Sequence, residues 1–248
     1  MTHWHLECSA CGHTEPGDAR ASVCPACGQP YLVRYDTPFP PREVMSSRWD
    51  MWRYSAVLPI GEFESPVSLG EGLTPLHDVP ALAEQLGWRL PTHIVYPTGG
   101  GTGLIGMWKV FGEMCEGGWI DPTLPLPRMI VAQADGCAPI VRAHAAGADR
   151  AEPWVNPETH ASGLRVPGPL GDRLILRAVR DSGGDAAAVS EMAIRDATRR
   201  LATITGVDAA PEGGCALAVA EALANAGRLP ADAEVVIFNT GTGASYRF

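Results

Sequence analysis

The stretch "HIVYPTGGGTGLIGMWK", residues 93–109, constrains this chain more than any other. A short run of β-branched and aromatic residues enters a glycine loop. Apolar residues at helical spacing, Leu104, Trp108, Phe111 and Cys115, follow it. That order reads as strand, turn and helix, one half of a βαβ unit. Three consecutive glycines, Gly99 to Gly101, weaken a turn entropically. Bare N–H groups ahead of a helix N-terminus suit a phosphate dianion, and that is the reading preferred here. The alternative is a tight turn without ligand. A dinucleotide fits less well, because the loop is GGGTG and not GxGxxG, and no acidic residue ends a second strand about twenty residues on.

The alternation continues along the chain. "RMIVAQA" (128–134) reads as a second buried strand, followed by a helix around Ala138–Ala146. A helix near Leu170–Ser182 leads into the short strand "AAAVS". Ser190 then caps a helix running to about Ala202. "GGCALAVAEALANAG" is a small-residue helix ended by Gly227, and "AEVVIFNTGTG" is a last strand entering another Gly/Thr loop. Strands alternating with helices imply an α/β body with a largely parallel sheet, of about four strands. Ligands of such sheets sit at the carboxyl ends of strands. The loops "TGGGTG" (98–103) and "NTGTG" (239–243) are therefore expected on one edge.

The N-terminus obeys different rules. Four of the seven cysteines form Cys8-x-x-Cys11 and Cys24-x-x-Cys27, separated by twelve residues. Two such knuckles complete a tetrahedral Zn²⁺ site, with Gly12 and Gly28 where each knuckle turn needs a permissive backbone. Four free or redox-active thiols are the alternative. A four-thiolate site leaves no open position, so a structural metal is expected. Cys115, Cys137 and Cys215 are isolated among apolar neighbours and read as core residues. "TPFPPRE" ends the ribbon, giving a ribbon at 1–36, a connector at 37–92 and an α/β domain at 93–248.

Net charge is −9, which argues against nucleic acid or an anionic membrane as a general partner. The ribbon has no basic face, with Arg20 and Arg34 against Glu7, Glu15, Asp18 and Asp36. Reading it as an interaction module for nucleic acid is disfavoured for that reason. No stretch approaches the ~18 apolar residues of a membrane span, and no secretory signal is visible, so the expected location is the cytoplasm. Lys109 is the only lysine; the other 18 basic residues are arginines.

Taken together, the ribbon opening, "MWRYSAVLPI", "PVSLGEGLTPL", "GWRLPTHIVYPTGGGTGLIGMWKVF", "GLRVPGPLGDRLILRAVRDSGG", "PEGGCALAVAEAL" and "FNTGTGASY" resemble threonine synthase and its pyridoxal-phosphate relatives of fold type II. The resemblance implies an incomplete three-layer parallel sheet of that fold. It implies that Gly99, Gly100, Gly101, Thr102 and Gly103 wrap the cofactor phosphate. Thr240 would face the pyridine nitrogen, and Thr74 would lie on the substrate side. The family reaction turns O-phospho-homoserine and water into threonine and phosphate. A homodimer stays open.

The departure from the family lies between "GEGLTPL" and the glycine loop. The family carries there an S-F-K motif, whose lysine forms the Schiff base, and a G-N-[AT]-[AG]-like turn. Here only 23 residues separate Leu76 from Gly100, and neither motif exists. The stretch Leu82–Gly87 reads as the junction of an in-frame deletion. No catalytic residue is assigned on this basis, and Lys109 reads as a solvated bystander on a helix running away from the phosphate. Three whole-chain readings stay open: an enzyme of the threonine synthase reaction, an inactive remnant keeping the phosphate loop and the ribbon, and a zinc-ribbon interaction module with the α/β body as passenger.

Overall fold

The structure is a computed structural model that describes residues 4–19, 21–48, 50–60 and 90–247. Thr74, the "GEGLTPL" segment and the Leu82–Gly87 junction lie outside the described residues. The chain divides into two compact units, one from Met1–Leu76 with Lys109–Leu124, the other from His77–Trp108 with Pro125–Phe248.

In the first unit, β1 (Trp4–Cys8) pairs antiparallel with both β2 (Thr14–Pro16) and β3 (Tyr31–Tyr35), in the order β2-β1-β3. Gly12 and Gly28 take φ of +71° and +70°, the left-handed turn each knuckle requires. Among the described residues from 4 to 60, only Cys8 and Cys24 are buried. The strands therefore close over sulfur and not over an apolar core.

The second unit is a parallel sheet of β4 (His93–Pro97), β5 (Arg128–Ala134), β6 (Asp185–Val189) and β7 (Val235–Ile237), in the order β6-β5-β4-β7. Its helices are α2 (Pro139–Ala145), α3 (Asp172–Asp181), α4 (Glu191–Thr205) and α5 (Pro211–Asn225), together with the start of α1 (Thr102–Glu116), whose residues from Lys109 on belong to the first unit. β5 is buried at every position from Met129 to Ala134, as a central parallel strand must be. Its even residues Ile130, Ala132 and Ala134 join Val95 in a core with Ile194 and Ala197 of α4 and Cys215, Val219 and Leu223 of α5. Ser190 caps α4 by accepting the Ala193 N–H, as its sequence position predicts. Gly206 ends that helix at φ +72°.

One expectation needs correction. Cys137 and Cys215 are buried as read, but Cys115 is only half-buried. Of the α1 stripe, Leu104 is buried, while Trp108, Phe111 and Cys115 are each half-buried. The spacing defines one helix face and says nothing of how fully that face is covered.

Candidate functional site

The glycine loop follows β4 because the strand ends in a pinned turn. Thr98 donates its N–H to Ala132 O at 2.9 Å and its hydroxyl to Tyr96 O at 2.7 Å. The carbonyl of Thr98 accepts Gln133 Nε2 at 3.0 Å, and the same buried amide caps α2 by accepting from Ile140 and Val141 N–H at 3.0 and 3.1 Å. Gln133 thus fixes the start of the loop from the neighbouring strand. Sequence reading gave that residue no role.

Beyond Thr98 the chain packs too tightly for side chains. A Cβ on Gly99 would stand 2.1 Å from Gly163 O, and one on Gly103 would stand 2.1 Å from the Tyr96 hydroxyl. Gly101 has φ +77°, and its Cβ would meet Ile175 Cδ1 at 2.3 Å. A Cβ on Gly100 would meet nothing within 4 Å, so the loop is open there. Among the described residues, the N–H groups of Gly99, Gly100, Gly101, Thr102 and Gly103 have no acceptor. They sit at the start of α1, where the helix dipole favours negative charge. This donor set fits a phosphate.

The loop forms one side of a cavity of about 410 Å³. Thr240, Gly241 and Thr242 of the second Gly/Thr loop line the same cavity, so both loops do open on one edge of the sheet. Thr240 is exposed to it. The turn around Ser162 and Gly163, the start of α5 at Glu212, and Tyr246 complete the lining. Glu212 Oε1 accepts the Gly163 N–H at 2.8 Å and the Tyr246 hydroxyl. Tyr246 Oη also accepts the Ser162 N–H at 3.1 Å and lies 2.8 Å from Ser162 Oγ. Burial, and then the bond to Glu212, push the Tyr246 hydroxyl above its usual pKa; burial does the same for Tyr96. Both phenols are therefore neutral donors near pH 7.

The one lysine is elsewhere. Lys109 is not among the cavity-lining residues; its ammonium pairs with Glu113 and stands 5.1 Å from the centre of the Tyr35 ring. Its side chain is 19% exposed, so the expectation of a solvated bystander is corrected. The sequence placed it on a helix running away from the phosphate but could not show Tyr35 opposite. Burial and the Glu113 charge raise the Tyr35 hydroxyl to about 12, and it donates to Val57 O at 2.6 Å.

The four ribbon cysteines come together as their spacing predicts. All four Sγ atoms lie within 4.8 Å of one another. Cys8 and Cys27 are 3.4 Å apart, and Cys11 is 3.6 Å from both Cys24 and Cys27. A tetrahedron with metal–sulfur bonds of about 2.3 Å has edges of about 3.8 Å, so the donor set fits a thiophilic cation. The N–H of Cys11, the largest influence, lowers the Cys8 thiol to about 6. At Cys11 and Cys27 the His13 and Gln29 N–H groups oppose the rise, but sulfur neighbours raise both thiols.

Comparison with known proteins adds to this geometry. The family model described as "Pyridoxal-phosphate dependent enzyme" matches residues 79–241. The threonine synthase of Methanocaldococcus jannaschii is 34% identical over 162 residues, 65% of this chain and 39% of that protein. That of Methanosarcina acetivorans is 34% identical over 160 residues, 64% of this chain and 39% of that protein. The threonine synthase of Synechocystis is 32% identical over 155 residues, 62% of this chain. The matched segment is thus about two fifths of the length of these relatives.

Proposed function

This chain belongs to the pyridoxal-phosphate dependent enzyme family, and from that premise we propose that it is a threonine-synthase-like protein holding the cofactor in the glycine-loop cavity. The observation that carries the reading is the run of unpartnered N–H groups from Gly99 to Gly103 at the start of α1. In this reading they take the three phosphate oxygens, with α1 adding its dipole. Thr240 would offer the cofactor ring a neutral hydroxyl partner. When bound, the cofactor supplies an electron sink for charge developing beside an amino-acid α-carbon. Tyr246 and Ser162 offer hydroxyls to the same space, and the packed Gly163 turn excludes water from the loop's flank. The reaction assigned is conversion of O-phospho-homoserine and water to threonine and phosphate. Zn²⁺ on Cys8, Cys11, Cys24 and Cys27 is a structural companion. The ribbon occupies residues 1–36, the connector 37–92 and the phosphate-binding body 93–248.

A second reading is favoured by one observation. The sole lysine is paired with Glu113 beside Tyr35, outside the cavity. A body lacking an imine-forming lysine in its cavity keeps the phosphate site without efficient turnover. The test incubates the protein with pyridoxal phosphate and O-phospho-homoserine and follows both products. Threonine with equimolar phosphate supports the enzymatic reading. Cofactor binding without product supports the remnant, and loss of both overturns the assignment of the site.

Among the described residues no helix is long and apolar enough to cross a membrane.

A further inference from the structure

The cavity carries its charge at two poles. One is the Gly99–Gly103 loop with its donors and the α1 dipole. The other is Glu212, only 8% exposed, which lines the same space. Its Oε1 is engaged by Gly163 and Tyr246; among the described residues Oε2 has no partner. The poles are close. A Cβ on Gly163 would stand 2.8 Å from Glu212 Oε1, and a Cβ on Gly99 would stand 2.1 Å from Gly163 O, so a single residue separates the loop from the carboxylate. Among the described lining residues there is no Lys, Arg or His. An anionic ligand beside a carboxylate is repelled unless the ligand brings its own cation.

We propose that the cavity takes a phosphate monoester that also carries an ammonium group, the phosphate on Gly99–Gly103 and the ammonium on Glu212, held without a covalent bond to the protein. The proposal rests on the phosphate site of the cofactor reading and deepens its second form, a body that keeps that site without efficient turnover. It accounts for a cavity that no lysine lines, because an amine, unlike an aldehyde, has no need of one. The cofactor-like member of that chemical class is pyridoxamine 5′-phosphate. Tyr246 and the Gly163 N–H act on Glu212 as positioning groups, fixing Oε1 and leaving Oε2 to the ligand.

The test is calorimetric titration of the full chain with pyridoxamine 5′-phosphate and with pyridoxine 5′-phosphate, in which an uncharged hydroxymethyl group replaces the aminomethyl group, with inorganic phosphate as reference. The amine ester is expected to bind about tenfold more tightly, the scale of one charge-assisted hydrogen bond. Glu212→Gln keeps an oxygen for both Oε1 donors but loses the charge, and is expected to bring the two esters within about twofold. Equal affinities in the unaltered chain, measured without any variant, overturn the proposal and leave the phosphate site standing. So does an amine preference that survives Glu212→Gln. If none of the three phosphates binds, the reading of the glycine loop falls with it.

Discussion

The two units of this chain are held together by different physics. The three-stranded unit buries only Cys8 and Cys24 among the described residues from 4 to 60. The parallel sheet buries Val95, Ile130, Leu164, Ile194, Val219 and Leu223 in one continuous core. The short segment that holds β1, β2 and β3 cannot remove enough apolar surface from water to offset its conformational entropy. It closes instead on four sulfurs that a metal can bind. The larger body has the area to use the hydrophobic effect, and can then leave polar backbone open along one edge for a ligand. What the difference teaches is that the same residue type does opposite work in the two units. Cysteine is one of four clustered thiols at Cys8, a donor set that fits a metal, and a packed apolar group at Cys215, which is fully buried and whose thiol pKa burial raises.

Removing metal should break the comparison most sharply. Zinc bound by small four-ligand domains is worth on the order of 10 kcal/mol. Chelation, or Cys24→Ser, is expected to abolish the dispersed amide signals of residues 4–35 while amide exchange in β4, β5 and β6 stays slow. Loss of protection in both units together would show that they share one core.

Ile175→Ala is the reciprocal experiment. Ile175 is fully buried and packs against Gly101, so truncation should cost about 2–5 kcal/mol in the parallel-sheet unit. The same variant should leave the thiolate-to-metal absorption of a Co²⁺-loaded ribbon unchanged.

Gly99→Ala sharpens the contrast at the ligand edge. Its Cβ would press on the Gly163 carbonyl, a backbone atom with little freedom to retreat. Affinity for phosphate esters should fall by about tenfold or more, roughly 1.4 kcal/mol. Ribbon signals should not move. Retained affinity would show that the loop tolerates a side chain and is no cradle.

A smaller effect should appear with pH. His93 is buried beside Arg128, and burial first, then that charge, lowers its pKa. A lowered folded-state pKa means that the unfolded chain binds the proton more readily. The contribution of His93 is thus present above about pH 6.5 and is lost as pH falls toward the folded-state value. Denaturation of the parallel-sheet unit should lose at most about 1.4 kcal/mol per pH unit across that window. His93→Gln should flatten this limb. The smallest change is Ser190→Ala, expected to cost about 1 kcal/mol through the lost cap on Ala193, read as a lower melting temperature.

Much of this architecture was legible because it is local. The helices read near 170–182 and 190–202 appear at Asp172–Asp181 and Glu191–Thr205, and the strand "RMIVAQA" appears whole. Periodicity, Ser190 as a cap and glycine as a stop each act within a few residues. The Cys-x-x-Cys pairs were legible for the same reason, since each knuckle is one turn. The polar wiring of the cavity was not. Ser162, Glu212 and Tyr246 are 34 or more positions apart, and only the parallel crossovers bring them to one hydrogen-bonded group. One signal was present in "PEGG", where proline opens a helix and an acid occupies its first turn. Lys109 shows the limit of sequence position, which put it on a helix running away from the loop but revealed neither Tyr35 nor its partial burial.

The central claim is that the glycine-loop cavity holds the cofactor by its phosphate, with no imine to this chain's only lysine. Borohydride reduction in the presence of pyridoxal phosphate, followed by peptide mapping, tests it most directly. The account predicts saturable binding that inorganic phosphate competes away, and no pyridoxyl group on the peptide containing Lys109. A stoichiometric adduct on Lys109 would contradict it.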